Sequence, residues 1–174
     1  MSQDDTFTFD GVDGAKIFSY RWLPAGPVRG VLQIAHGMGE HSLRYRKPLQ
    51  PLLDAGIALY ANDHRGHGRT ATTKDALGDF GPDGFLALVD DMARLTRIAR
   101  KENPGKKLIL MGHSMGSFAA QIYVVDHSDL IDGFILSGSA ALDKLQAPRG
   151  GLSSIGEGMG TTRTPFDWLS RDEK

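Results

Sequence analysis

Polar and apolar positions alternate over Thr6 to Phe9 and again over Ala15 to Leu23, with the turn chemistry of Gly11 to Gly14 between them. A period of two puts one face of each segment inward, so the pair is expected to form an antiparallel hairpin at a sheet edge. Pro24 to Pro27 breaks the pattern. Gly30 to Ala35 is then a short, almost continuously apolar run ending at His36-Gly37-Met38-Gly39, and Ile57 to Ala61 is another, ending at the glycine-rich turn Asp63 to Gly68. Runs of this length bounded by turn residues read as strands buried on both faces of a parallel sheet.

Helical spacing separates these strands. Leu43, Leu49, Leu52 and Leu53 allow a helix over Ser42 to Ala55, with Pro48 and Pro51 shifting its start or kinking it and Gly56 as its stop. After a polar loop over 69–82, Phe85, Leu88, Val89, Met92, Leu95 and Ile98 recur at helical intervals until Asn103-Pro104-Gly105. Lys107 to Met111 is a third buried run, a helix follows from Ser117 to about Asp126, and Gly133 to Ser137 is a further strand. Strands alternating with helices predict an α/β fold, a mostly parallel sheet with helices on both faces.

Between the third buried run and its helix stands Gly112-His113-Ser114-Met115-Gly116, a G-x-S-x-G sequence in strand-turn-helix context. Such a turn forces the serine into a backbone conformation that L-residues avoid, and the flanking glycines permit strand and helix to approach without a clashing Cβ. Ser114 is therefore the candidate nucleophile, with Gly112, His113 and Gly116 as its support.

Composition narrows the chemistry further. The 174 residues carry 20 Lys plus Arg against 21 Asp plus Glu, a net charge of −1 without a like-charged block, so no nucleic-acid surface is expected. With no cysteine, disulfides, thiolate metal sites and cysteine nucleophiles are excluded. Neither a signal-like apolar region nor a membrane-length run occurs, and a cytoplasmic protein is expected, with any membrane contact peripheral.

Three ordered motifs, His36-Gly37-Met38-Gly39-Glu40-His41, Asp63-His64-Arg65-Gly66-His67-Gly68 and the G-x-S-x-G turn, give the chain a resemblance, from about Phe9 to Trp168, to the monoacylglycerol lipase and lysophospholipase branch of the α/β-hydrolases, also labelled serine aminopeptidase S33-like. The resemblance implies a serine ester hydrolase of lipid metabolism. In it Ser114 attacks the acyl carbonyl, and the backbone N–H groups of Met38 and Met115 stabilise the oxyanion, with His36 and Gly37 shaping the turn that carries Met38. No cofactor or metal is implied. Residues 1–138 would be the N-terminal part of the hydrolase core and 139–174 the start of a cap over the acyl pocket, through which a membrane surface could be touched.

In this fold the acid and the histidine of the triad follow the nucleophile in that order. Family members continue well beyond residue 174, and neither group matches a residue here, so the chain is expected to stop after about the sixth strand and to lack both. Three roles follow as expectations: a fragment of a lipid ester hydrolase, a half completed by another chain, or a non-catalytic product that binds a ligand or partner. The strand ending at Ser137 is expected to be an edge strand with exposed apolar side chains.

The remaining polar residues read as structural. His113 should point away from the Ser114 hydroxyl, His41 should sit on a glycine-rich turn near the sheet's carboxyl edge, and His64 and His67 should stabilise their turn rather than bind metal. His127 should sit at a helix end, where the dipole favours it. Asp90 and Asp91, adjacent on a helix and about 100° apart around it, should be solvated or capping groups. Phe166-Asp167-Trp168-Leu169 is either a lipid-touching cap element or ordinary core.

Overall fold

The computed structural model describes residues 3–141. Six strands, β1 (Gln3–Asp10), β2 (Lys16–Leu23), β3 (Gly30–Ala35), β4 (Ile57–Asn62), β5 (Leu108–His113) and β6 (Gly133–Ser137), form one sheet in the order β1-β2-β4-β3-β5-β6. The pairs β1–β2 and β2–β4 are antiparallel, whereas β4–β3, β3–β5 and β5–β6 are parallel. The mostly parallel sheet and the edge hairpin agree with the hydrophobic pattern.

Helices α1 (Gln50–Asp54), α2 (Gly84–Glu102) and α3 (Met115–His127) cover the sheet from both sides. Because side chains alternate along a strand, the central strands β3, β4 and β5 each feed cores on both faces. Leu32, Ile34, Leu59 and Ala61 pack with Tyr20, Trp22 and Leu53 of α1. On the opposite face Ala35 and Leu110 meet Phe85, Leu88 and Met92 of α2 and Ala119 and Tyr123 of α3. Beside them Val31, Ala58, Tyr60 and Leu108 close over Leu95 and Ala99 of α2.

Between α2, α3 and β3 runs a buried polar chain. Gln33 Nε2 donates to the Met92 carbonyl at 2.9 Å, Thr96 Oγ1 donates to Gln33 Oε1 at 2.7 Å, and Tyr123 donates to Thr96 Oγ1 at 2.9 Å. These bonds satisfy polar groups that would otherwise be costly in the core, and they fix the two helices against the central strand.

Two expectations need correction. The stretch Ser42 to Ala55 is not one helix: a single 3-10 turn, Ser42–Tyr45, is separated from the short α1. Pro48 and Pro51 lack the N–H that a continuous helix needs, and Leu43, counted as a core position, is 50% exposed. Asp91 is not solvated either. It is buried and accepts from Arg65 Nε at 2.5 Å, while Asp13 accepts from Arg65 Nη1 at 2.7 Å. Arg65, on the turn after β4, supplies the countercharge that lets a carboxylate lie inside α2.

Among the described residues β6 is an edge strand, with Phe134 and Ile135 each 49% exposed. No helix among these residues is long and apolar enough to cross a membrane. Beyond residue 141 the assigned cap segment, including the Phe166 to Leu169 cluster, lies outside the described residues.

Candidate active site

The sheet register places Ala35 of β3 beside Gly112 of β5, so the two motif turns leave adjacent strand ends. Ser114, half-buried, has φ 49° and ψ −117°, and it is the one non-glycine residue with positive φ among those described. Glycine neighbours make this path open. A Cβ on Gly112 would lie 2.3 Å from the Gly116 carbonyl oxygen, and one on Gly116 would lie 2.1 Å from that of Ala35. Helix α3 therefore rests directly on the ends of β3 and β5, which no larger residue at 112 or 116 would allow.

Main-chain groups around Ser114 are sorted by the bonds they make. Its own N–H donates to the Ser137 carbonyl at 2.8 Å, tying the turn to the end of β6. Its carbonyl accepts from Ser117 N–H at 2.8 Å and Ser117 Oγ at 2.6 Å, which caps α3. Met115 is the first residue of α3, where N–H groups have no intrahelical acceptor and the helix dipole favours negative charge. An anion beside Ser114 would meet that N–H.

The turn after β3 lies against the same serine. A Cβ on Gly37 would be 3.3 Å from Ser114 Cβ and 3.4 Å from His113 Cδ2. His36, fully buried, accepts the His64 N–H at Nε2 (2.9 Å), which leaves its proton on Nδ1, 2.7 Å from the Gly37 carbonyl oxygen. Since no peptide bond here is cis, fixing that carbonyl points the Met38 N–H in the opposite direction within the Gly37–Met38 peptide plane.

Histidines elsewhere serve the same turns. The His36 ring lies 4.2 Å from that of His64 and 5.2 Å from that of His67, centroid to centroid. Burial, reinforced by the neighbouring rings, holds His36 well below the ordinary histidine range and brings His64 down to about 3, so both stay neutral. His67 Nδ1 is 2.8 Å from the Arg65 carbonyl oxygen. His113 Nδ1 is 3.1 Å from Ser137 Oγ, and His127, ending α3, lies 3.3 Å from Asp90 Oδ1. Among the described residues no three His, Asp or Glu side chains are grouped to hold a metal.

Sequence motifs located the two turns, and the structure brings Gly37, His113 and Ser114 together. Ser137 was missed: its place at the end of β6, in register with His113, was available only from the strand pairing. Glu40 stood within a motif without a role, although its side chain reaches back to the Gly37 N–H at 2.5 Å.

Comparison with known proteins gives this geometry a context. The pattern of the family described as "Serine aminopeptidase, S33" matches residues 26–174. A monoacylglycerol lipase of Mycolicibacterium smegmatis is 36% identical over 133 residues, covering 76% of this chain and 46% of that protein. Human monoglyceride lipase is 30% identical over 124 residues, covering 71% of this chain and 39% of the enzyme. A thermostable carboxyl esterase from Bacillus coagulans, solved with glycerol, superposes with a TM-score of 0.76 at 29% identity over 97% of this chain and 62% of its own. The chain thus spans less than half the length of the two lipases.

Proposed function

Since the chain belongs to the serine aminopeptidase S33 family and carries an α/β-hydrolase sheet, we propose that it supplies the nucleophile and the oxyanion groups of a serine hydrolase acting on monoacylglycerols or similar lipid esters. The observation that carries this reading is the backbone of Ser114, at φ 49° between two glycines and packed against the Gly37 turn. Residues held in so unfavourable a conformation cluster at active sites and ligand clamps. The lipase relatives point to the substrate class.

In this reading Ser114 Oγ adds to the ester carbonyl while a base takes its proton. The C–O bond to the leaving alcohol then breaks as that proton is returned to the alcohol oxygen. Water later releases the acyl group by the same steps in reverse order. The N–H groups of Met38 and Met115 receive the negative charge that develops on the carbonyl oxygen, and loss of one such donor costs about 3 kcal/mol in the barrier. The base and the acid come from outside these 174 residues, either later in the same polypeptide or on another chain. The free edge of β6 favours that arrangement, since a further strand would pair with its backbone, and the exposed Phe134 and Ile135 lie on opposite faces where further helices would pack. Residues 1–138 are then the first part of the core, and 139–174 begin the cap.

Hydrolysis of p-nitrophenyl butyrate and of a monoacylglycerol tests the proposal. The 174-residue chain alone is expected to show negligible turnover, because loss of the base costs about a million-fold. Supplied with the later strands, in one polypeptide or as a second chain, it is expected to turn over both esters, and Ser114→Ala to abolish the reaction. Turnover that survives Ser114→Ala overturns the assignment.

A further inference from the structure

Glu40 closes the motif that opens at His36, yet the reaction outlined above gives it no part. Its side chain is only 8% exposed. Oε1 accepts the Gly37 N–H at 2.5 Å and the Tyr45 hydroxyl at 2.6 Å, and Oε2 accepts from Arg44 Nη1 at 2.8 Å. A carboxylate is tolerated away from water when donors surround it in this way. Burial, and then the bond to Glu40, push the Tyr45 phenol well above its usual range, so it stays a donor.

Those donors are anchored. Arg44 and Tyr45 stand on the single 3-10 turn after the motif, and Ser42 fixes that turn to the end of β4. The Ser42 N–H donates to Asp63 Oδ1 at 2.8 Å and its hydroxyl to the Asn62 carbonyl at 2.7 Å. A rigid chain of bonds therefore runs from β4 to the Gly37 amide.

Gly37 is the residue in need of such a hold. A Cβ there would approach Glu40 Oε1 to 2.9 Å and Ser114 Cβ to 3.3 Å, so glycine leaves room for the Glu40 side chain, and it is also the freest residue of the backbone. His36 fixes the carbonyl of Gly37. We propose that Glu40 is a positioning residue that clamps the N–H of Gly37 from the other side, so that the two bonds together set the φ and ψ of Gly37 and aim the Met38 N–H at the space beside Ser114. The functional meaning of that aim rests on the reading of Ser114 and Met38 given above; the clamp itself does not.

Amide hydrogen exchange in the 15N-labelled 174-residue chain tests it. Glu40→Ala is expected to speed exchange at Gly37 at least tenfold, while Ile34 in β3 and Leu110 in β5 change less than threefold. Glu40→Gln, which keeps an acceptor but loses the charge, should fall between wild type and Glu40→Ala. Tyr45→Phe, which leaves Glu40 in place but removes one of its donors, should loosen the Gly37 amide severalfold. A Gly37 rate unchanged in these variants, or equal acceleration at Ile34 and Leu110, overturns the clamp, because a merely structural carboxylate would loosen the whole sheet. In a form that turns over ester, Glu40→Ala should lower kcat about tenfold with KM within twofold, and Glu40→Gln should recover part of it. If no form hydrolyses ester, the reading of Ser114 falls, and the exchange rates still decide the clamp.

Discussion

Gly116 of α3 sits so close to Ala35 of β3 that a methyl group on it would come within 2.1 Å of the Ala35 carbonyl oxygen. The obstacle is backbone, which cannot swing aside as a flexible side chain would. Gly116→Ala is therefore expected to cost about 3 kcal/mol or more, at the upper end of overpacking substitutions. The midpoint of denaturant unfolding checks this, and a midpoint unchanged from wild type would show that α3 is less tightly seated.

Ser114 stores strain that glycine would not feel. At φ 49° and ψ −117° an L-residue carries a penalty of about 1–3 kcal/mol. Part of that is offset by the greater freedom of an unfolded glycine. Ser114→Gly should accordingly raise stability by about 1 kcal/mol while removing the hydroxyl needed for acyl transfer. Thermal unfolding of the two proteins decides the point, and a lower midpoint in the glycine variant would contradict the strain.

Acid should weaken the fold through its buried imidazoles. Burial, first, and neighbouring rings, second, depress His36 and His64, the latter to about 3, and burial lowers His67 as well. In the unfolded chain these groups titrate near 6.5. Between about pH 6.5 and 3 the unfolded state therefore binds more protons than the folded one, so stability falls as pH falls through that window and is flat above it. At pH 5 each strongly depressed ring accounts for a loss on the order of 2 kcal/mol. Asp13, held below the usual carboxylate range by Arg65, contributes only below about pH 4. Urea titrations at pH 7.5, 6 and 5 separate the two, and equal stability at all three would sink the histidine account.

The Arg65–Asp91 pair offers a further measurement. Both side chains are almost wholly buried, with 4% and 2% exposed, whereas Asp13, the second partner of Arg65, is 26% exposed. Asp91→Ala leaves a guanidinium inside the protein with one partner and should cost about 3 kcal/mol or more. Asp13→Ala gives water access to the vacated side and should cost about 1 kcal/mol or less. Equal losses in chemical denaturation would mean that burial does not set the balance.

Local information accounts for what the sequence made legible. Gly30–Ala35 and Gly133–Ser137 are legible with the bounds they have in the structure, because apolar runs this short between breakers are too brief for a helix. The Ser114 turn, too, is written within five consecutive residues. Illegible features depend on partners far along the chain: Asp91 looked solvated since Arg65, 26 residues away, completes its environment only after folding. Similarly, leucines spaced as a helix over Ser42 to Ala55 gave no sign that one of them faces water. Glu40 lay in a recognised motif, but its bond to Gly37 depends on a reversal of the chain that spacing alone does not encode.

Both groups assigned to charge stabilisation, the amides of residues 38 and 115, belong to the main chain. Apart from proline, which has no N–H to offer, no exchange of one side chain for another deletes them. Such a pocket is silenced by rerouting the backbone, and the narrow clearances at Gly112 and Gly116, both against main-chain atoms, mark where a single added carbon would do so. Inactivating changes in this half should thus concentrate at positions that take no part in bond making, and should announce themselves first as altered folding.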